Sequence, residues 1–201
     1  RSTLSSSSAA SDVYKRQDIS TLIKLINNAT SFNFRGLIMS FSRLLSVAPM
    51  MERTDRHFRY FLRLLSKETL LYTEMITAQA IVKGNKSKLL NFSKAERPLA
   101  LQIGGSDPKL LAEATKLGAD WGYDEINLNV GCPSNKVSSG DFGAILMKRK
   151  EQVAKCTDAM INFSGGVPIT IKCRIGVDDQ DPNIILPDFI ETVSDLSLIH
   201  I

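Results

Sequence analysis

The sequence predicts an α/β fold in which strands and helices alternate and the strands form a parallel sheet. Five short apolar segments are separated by amphipathic ones at intervals of roughly 30 residues, the spacing of repeated strand–helix units. Neither a GxGxxG nor a GxxxxGK[S/T] motif follows any of them, which disfavours a dinucleotide or P-loop site. Because a complete eight-stranded barrel needs about 250 residues, the pattern leaves two alternatives: a doubly wound sheet, or a TIM-type (β/α)8 barrel truncated to about its first five βα units.

The predicted elements all lie after Met39. Strands are predicted at 44–49, 70–75, 99–103, 125–130 and 168–175. Helices are predicted between them, at 54–65, 108–117, 150–163 and 183–193. Thr54 is a possible cap for the first helix. Asp107 followed by Pro108 predicts the start of the second helix, because aspartate caps free N–H groups and proline suits the first helical position.

The two ends of the chain carry hexapeptides that we interpret as adapter-derived. Residues 12–17 read DVYKRQ and residues 196–201 read LSLIHI. The codons GATGTGTATAAGAGACAG encode the first, and their reverse complement encodes the second. We therefore set aside residues 1–17, which include a Ser-rich low-complexity run, and residues 196–201. Residues 18–38 carry no motif, and we expect them to be translated upstream DNA that precedes a natural start at Met39.

Net charge gives no argument for a nucleic-acid partner. The whole chain has a formal charge of +4, but Arg1, residues 12–17 and residues 18–38 contribute +1 each, which leaves +1 for residues 39–201. The basic balance therefore comes mostly from the segments set aside.

Cysteine spacing and hydropathy exclude several classes. The three cysteines, Cys132, Cys156 and Cys173, form no CxxC pair, which argues against a zinc site or a disulfide scaffold and suits a reducing cytoplasm. No run of about 18 apolar residues predicts a membrane span.

Three predicted strands carry polar residues on one face. These are Gln102 in the third strand, Glu125, Asn127 and Asn129 in the fourth, and Thr170, Lys172 and Arg174 in the fifth. Strand side chains alternate between faces, and parallel strands are usually apolar on both. Buried cations are costly unless they bind an anion or a polar ligand. The pattern therefore predicts a binding site at the carboxyl ends of the strands, whereas any one of these residues alone could simply meet solvent at a strand end.

A cysteine-bearing turn follows the fourth strand. The sequence after Asn129 is Val130-Gly131-Cys132-Pro133-Ser134, and its glycine and proline favour a sharp turn. Cys132 would then lie on a loop above the strand end. A lone cysteine is usually a small buried hydrophobe, but this context favours a chemical role.

These segments resemble the tRNA-dihydrouridine synthases, and most closely their A type. The segments SVAPMM, TDRH, LALQIGG, YDEINLNVGCPS, GDFGA and TIKCRIG occur in the family's order between about Leu44 and Asp195. The NxGCPS element combined with a later KxR strand is specific to the family. One departure is Glu52-Arg53, near the flavin loop, where the A type usually has Asp-Trp.

The resemblance implies an FMN-binding barrel that uses NADPH to reduce a D-loop uridine of tRNA, at position 20 or 20a, to 5,6-dihydrouridine. It also implies the following roles: Pro49, Met50 and Met51 line the flavin, Gln102 and Lys172 bond its polar edge, Asn129 and Arg174 hold the uracil or nearby tRNA, and Cys132 is the general acid. A cation such as Lys172 near the pyrimidine part of the flavin stabilises the anionic reduced form. An ordinary thiol is mostly protonated at neutral pH, which suits a general acid.

Under the same resemblance, residues 39–195 form the N-terminal part of the FMN-binding barrel. The late barrel strands, with their phosphate-binding loops, and the helical tRNA-binding domain would then be absent, and we expect the chain as it stands to be inactive. We expect the full-length enzyme to be monomeric, cytoplasmic and free of metal.

Two alternatives from other classes remain open. One is another FMN barrel oxidoreductase that acts on a small metabolite, similar to dihydroorotate dehydrogenases, although such an enzyme should lack NxGCPS. The other is a non-catalytic RNA-binding module, which would require a basic surface that the charge distribution does not supply.

Other polar residues are interpreted structurally. We expect His57 to have a surface role, and Arg59 and Arg63 to share a solvated helix face, with tRNA contact as the lesser possibility. Three aspartates, Asp178, Asp179 and Asp181, lack the spacing of a calcium loop and predict a solvated loop.

Overall fold

A computed structural model of the chain describes residues 44–134, 137, 140–194 and 198–200. The chain divides into two compact units, Arg1–Ile38 and Met39–Ile201. All of the described residues belong to the second unit.

A parallel sheet forms the centre of this unit. Its strands are β1 (Ser46–Val47), β2 (Leu70–Tyr72), β3 (Ile76–Thr77), β4 (Leu99–Gly104), β5 (Glu125–Val130), β6 (Ile169–Cys173) and β7 (Leu198–His200). The order is β1-β2-β4-β5-β6-β7, with β3 also paired to β4, and every pair is parallel. The order runs in one direction without the reversal that defines a doubly wound sheet. The sheet with its alternating helices is therefore a half-barrel of the TIM type, which decides between the two folds that the sequence left open.

Helices connect the strands. They are α1 (Arg56–Leu65), α2 (Ala78–Lys83), α3 (Lys86–Leu90), α4 (Pro108–Trp121), α5 (Lys150–Phe163) and α6 (Pro182–Ser194), and two 3-10 helices lie at Lys94–Glu96 and Gly143–Lys148. The predicted start of α4 is confirmed, because the Asp107 carboxylate accepts from the Lys109 and Leu110 N–H groups at 2.8 and 3.1 Å. The helix ends at Gly122, whose φ of 91° suits glycine.

Several elements differ from the prediction. The short elements β3, α2 and α3 were not predicted, because two to six residues are too few to show a period. The Thr54 cap was wrong: Asp55 caps α1, while Thr54 is buried and bonds the backbone of Met50. Residues Leu198–His200, which the sequence analysis set aside, pair with β6 as the last described strand. This pairing does not bear on the origin of the segment.

The apolar core lies between the outer face of the sheet and the helices. Leu101, Ile126 and Leu128 are fully buried on that face. Gly118 of α4 packs directly over it, since an added Cβ would lie 2.7 Å from Leu101 Cδ2. The helix layer therefore packs tightly on the outer face. Because side chains alternate along a strand, the polar residues of β4, β5 and β6 lie on the opposite, inner face.

The prediction of a solvated arginine face on α1 was wrong, because the arginine face is the buried one. Arg59 and Arg63 are only 6% and 8% exposed, whereas four large apolar side chains of the helix are more than half exposed: Tyr60, Phe61, Leu64 and Leu65. Arg59 Nε donates to Glu96 Oε2 at 2.7 Å. A buried charge requires such a partner, and this one lies 37 residues away, beyond what local periodicity can show.

Arg63 joins the starts of two strands. Its Nη1 donates to the carbonyl oxygens of Ser66 and Lys67 at 3.0 and 2.9 Å, and its Nη2 donates to those of Glu96 and Pro98 at 2.8 and 3.1 Å. These residues precede β2 and β4. One planar guanidinium therefore satisfies four backbone acceptors at the amino-terminal edge of the sheet.

Among the residues described, no helix combines the length and the apolar character needed to cross a membrane.

Replacing Arg63 tests this assignment. We expect Arg63→Met to lower the free energy of unfolding by about 2–4 kcal/mol, because buried carbonyl groups lose their donor. Urea-induced unfolding of the 201-residue chain measures the change. Arg56→Met, at an exposed position of the same helix, is the control and should change stability by less than about 0.5 kcal/mol. Equal effects of the two substitutions would contradict the role of Arg63.

Candidate active site

Polar side chains of three neighbouring strands meet on the inner face of the sheet. The parallel register pairs Gln102 with Asn127 across β4 and β5, and Asn129 with Lys172 across β5 and β6. The predicted grouping of Gln102, Asn129 and Lys172 near the carboxyl ends of their strands is therefore confirmed. The structure adds Asn127, which the sequence analysis placed on this face but gave no role.

These side chains form a continuous hydrogen-bonded chain. Asn129 Nδ2 donates to Gln102 Oε1 at 2.9 Å, and Gln102 Nε2 donates to Asn127 Oδ1 at 2.8 Å. Asn127 Nδ2 donates to Thr170 Oγ1 at 2.8 Å, and the Thr170 hydroxyl donates to Glu125. Gln102 is only 1% exposed and already bonded through both ends of its amide, so one N–H and one lone pair remain for any ligand.

Glu125 lies at the inner end of this chain and is fully buried. The same oxygen, Oε1, accepts from the Thr170 hydroxyl and, at 3.0 Å, from Tyr72 OH. A buried carboxyl group is costly unless hydrogen bonds compensate for lost water. Hydroxyl groups from β2 and β6 supply that compensation.

The Cys132 loop is held at its backbone from several sides. Asn129 Oδ1 accepts from the N–H groups of Gly131 and Cys132 at 3.1 and 2.9 Å. Arg174 Nε donates to the Gly131 carbonyl oxygen at 2.6 Å, and Ala144 N–H donates to that of Cys132 at 2.9 Å. The half-buried thiol lies 3.7 Å from Ser134 Oγ. Arg174, predicted as a ligand of uracil or tRNA, thus also fixes this loop.

The GDFGA segment has a role that sequence reasoning missed. Gly143 has a φ of 78°, and a Cβ there would lie 2.6 Å from the Cys132 carbonyl oxygen and 2.5 Å from Val137 Cγ1. Only glycine lets the chain come this close, and the approach allows the next residue, Ala144, to bond that carbonyl.

Lys172 brings a cation to the inner face of the site. It is half-buried, and its Nζ has no hydrogen-bond or ion-pair partner within the part of the chain that the structure describes. A partly desolvated ammonium group favours a ligand that is negatively charged or electron-rich. The donor set of Lys172 and the Gln102 amide fits the polar edge of a flavin ring.

The predicted flavin-lining segment follows β1 at the same edge of the sheet. Met50 and Met51 are 41% and 58% exposed, and Pro49 is half-buried. The Met50 carbonyl accepts from the N–H and the hydroxyl of Thr54 at 2.9 and 3.1 Å, which closes the turn. Glu52, at the departure from the family pattern, has a φ of 60°, and its N–H bonds Glu74. No described contact joins this segment to Lys172 or Gln102, so its role remains a prediction.

Residues that were given structural interpretations lie elsewhere. His57 is exposed and lines a cleft of about 390 Å³ beside α1. Asp178 pairs with Lys148 at 2.5 Å, and Asp181 accepts from the Asn183 N–H at 2.9 Å.

Two of the three thiols are buried in the core. Burial raises the pKa of Cys156 to about 11 and that of Cys173 to about 12. Cys132 is the one that is not buried.

A parallel half-barrel with a cysteine loop and a half-buried lysine at its strand ends defines an α/β domain of the barrel-enzyme class. The chain belongs to the dihydrouridine synthase family: the family model described as Dihydrouridine synthase (Dus) matches residues 46–196.

Individual relatives agree with this assignment. The tRNA-dihydrouridine(20/20a) synthase of Synechocystis sp. is 61% identical over 150 residues, which are 75% of this chain and 45% of that protein. The proteins of the same name from Escherichia coli (strain K12) and Vibrio parahaemolyticus are 58% and 55% identical, over 74% and 78% of this chain and 43% and 48% of theirs. The chain spans less than half the length of the curated relatives it matches.

Thiol labelling tests the burial of the cysteines. In the folded chain at pH 8, iodoacetamide should alkylate Cys132 and leave Cys156 and Cys173 unmodified, because only the thiolate reacts and burial keeps both of those thiols protonated. Peptide mass spectrometry locates the label, and denatured chain provides the fully labelled control. Rapid labelling of Cys173 in the folded state would contradict the structure.

A matched pair of glycine substitutions tests the close approach at the Cys132 loop. Gly143→Ala and Gly165→Ala both place alanine at a positive φ, but nothing lies within 4 Å of a Cβ at Gly165. We expect Gly143→Ala to lower the free energy of unfolding by about 1–3 kcal/mol more than Gly165→Ala does, because it also overpacks the loop. It should also raise the alkylation rate of Cys132. Urea unfolding and labelling measure the two effects. Indistinguishable variants would show that the approach is not needed.

Proposed function

We propose that the protein whose barrel portion this chain forms is a tRNA-dihydrouridine(20/20a) synthase. It reduces a D-loop uridine of tRNA to 5,6-dihydrouridine with FMN and NADPH. The observation that carries the proposal is the Cys132 loop, held by Asn129 and Arg174 beside Lys172, whose Nζ has no partner among the described residues. Membership of the dihydrouridine synthase family and the names of the relatives support it.

The residues of this chain that would hold FMN are Gln102 and Lys172, at the polar edge of its ring, and the segment Pro49, Met50 and Met51. When bound and reduced by NADPH, FMN supplies the hydride that is added at C6 of the uracil ring. The Lys172 ammonium stabilises negative charge at the pyrimidine edge of the cofactor.

The chain itself supplies the proton. Cys132 holds it on Sγ and delivers it to C5 of the uracil, so that hydride and proton together saturate the C5–C6 bond. The backbone bonds to Asn129, Arg174 and Ala144 keep this thiol above the strand ends. Holding a reacting group at a fixed position removes entropy cost from the reaction step.

Two residues have donors left for the substrate. Asn129 keeps one N–H on Nδ2, since the other donates to Gln102 and its Oδ1 is bonded to the Cys132 loop. Arg174 uses Nε on that loop, and in the described part of the chain its terminal nitrogens have no partner. Both groups can donate to uracil carbonyl oxygens. The base must first leave its stack, which is easiest in a tRNA loop.

The family assignment favours tRNA over a free metabolite, and Cys132 favours a catalyst over a purely RNA-binding module. A cytoplasmic location fits the three free cysteines, the tRNA substrate and the NADPH reductant.

A chimera tests the role of Cys132. In it, residues 46–194 of this chain replace the matched segment of the Synechocystis relative, which supplies the remainder of the enzyme. Cys132→Ala in this chimera should retain flavin and its reduction by NADPH but lower dihydrouridine formation by about 100-fold or more, the contribution of a general acid. Nucleoside mass spectrometry of treated tRNA gives the yield.

Two further variants complete this experiment. Cys156→Ala, at a buried thiol outside the site, is the matched control and should leave dihydrouridine formation unchanged. Lys172→Met should release flavin or slow its reduction, whether or not Cys132 or Cys156 is also replaced by alanine. Normal dihydrouridine formation by the Cys132→Ala chimera would remove Cys132 from the mechanism.

A further inference from the structure

Four buried side chains connect Glu125 to the Cys132 loop. We call Thr170, Asn127, Gln102 and Asn129 the interior ladder. Each is at most 8% exposed, and consecutive members are hydrogen-bonded. The ladder crosses β6, β5 and β4 and returns to β5, so it ties three strands to one loop.

The hydrogen bonds of the ladder all have the same direction. At the outer end, the backbone N–H groups of Gly131 and Cys132 can only donate, so Asn129 must present Oδ1 to them. Asn129 Nδ2 then faces Gln102, which must present Oε1 and turn its Nε2 toward Asn127. Asn127 accepts on Oδ1 and donates from Nδ2 to Thr170.

The inner end requires the same direction independently. Glu125 Oε1 accepts the Thr170 hydroxyl hydrogen, which leaves the Thr170 oxygen to accept from Asn127, so Asn127 must turn its Nδ2 toward Thr170. A carboxylate at one end and two backbone N–H groups at the other therefore fix the orientation of all three amide groups between them.

Reversing any one amide would be costly. For Gln102 or Asn129 it would place oxygen against oxygen on one side and N–H against N–H on the other. For Asn127 it would place N–H against N–H at Gln102 and draw the Thr170 hydroxyl hydrogen away from Glu125. Buried polar groups without partners carry the full desolvation penalty. A buried hydrogen-bond network is therefore held in the arrangement in which every member has a partner.

We propose that Asn127 is a positioning residue for Cys132. None of its described side-chain hydrogen bonds reaches the thiol or the loop, but it fixes Gln102, which fixes Asn129, which holds the Gly131 and Cys132 N–H groups. The catalytic significance of this role rests on the proposed function of Cys132, whereas the mechanical role does not. Loss of the ladder should loosen the loop while the strands remain paired.

The far end of the ladder offers a matched pair of variants. Thr170→Val keeps the shape of the side chain but removes the hydroxyl, whereas Thr170→Ser keeps the hydroxyl. In the 201-residue chain, Thr170→Val and Asn127→Leu should raise the rate of Cys132 alkylation by about fivefold, the effect of losing one buried hydrogen bond on local opening. Thr170→Ser should restore the wild-type rate within about twofold.

A control separates the ladder from general destabilisation. Ile126→Val removes a buried methyl group from the outer face of the same strand without touching the ladder. It should leave the Cys132 rate unchanged at a comparable loss of stability. An equal rate increase in Ile126→Val, or equal rates in Thr170→Val and Thr170→Ser, would overturn the proposal.

The wild-type chain provides a test that does not depend on the folding of variants. The side-chain amide protons of Asn127 and Gln102 should exchange with solvent at least about 100-fold more slowly than free amides, because both groups are buried and bonded. Exchange at the rate of free amides would overturn the proposal. Neither measurement uses enzymatic activity, so a failed ladder and a failed role for Cys132 give different results.

Discussion

A buried polar group must find a partner inside the protein, and this requirement determines the inner face of the sheet. Glu125 is fully buried at the start of β5. Its Oε1 accepts hydrogen bonds from the hydroxyl groups of Tyr72 and Thr170. The bond from Thr170 connects Glu125 to the interior ladder. The consequence is a polar interior whose hydrogen bonds have a fixed direction, ending on the loop that carries Cys132.

The two faces of the sheet therefore differ in composition and in structural role. The outer face packs apolar side chains under the helices, and Gly118 brings α4 close to it. The inner face carries amide groups, a hydroxyl and the Lys172 ammonium toward the carboxyl ends of the strands. Rigid packing on one side lets the polar groups on the other keep positions that a loop alone would not hold. Arg63 stabilises the opposite edge of the sheet, away from the site.

Much of this could be read from the sequence because it depends on local patterns. Alternation in β5 and β6 showed which residues share a face, and Asp107-Pro108 gave the start of α4. Arg59 and Arg63 could not be placed correctly, because the amphipathic pattern of α1 defines two faces and distant partners decide which is buried. The ladder was also hidden: the pattern put Asn127 on the right face, but only the register between strands shows that it bonds Gln102 and Thr170. The need for glycine at position 143 likewise could not be predicted, because it depends on the close approach of the Cys132 carbonyl group.

We propose that this half-barrel carries the proton-donating part of a dihydrouridine-forming site. It is tested most directly by the unmutated chimera with the Synechocystis relative, expressed in cells that lack their own tRNA-dihydrouridine(20/20a) synthase. Mass spectrometry of their tRNA should find dihydrouridine restored at positions 20 and 20a. A soluble, flavin-loaded chimera that leaves uridine at those positions would contradict the account.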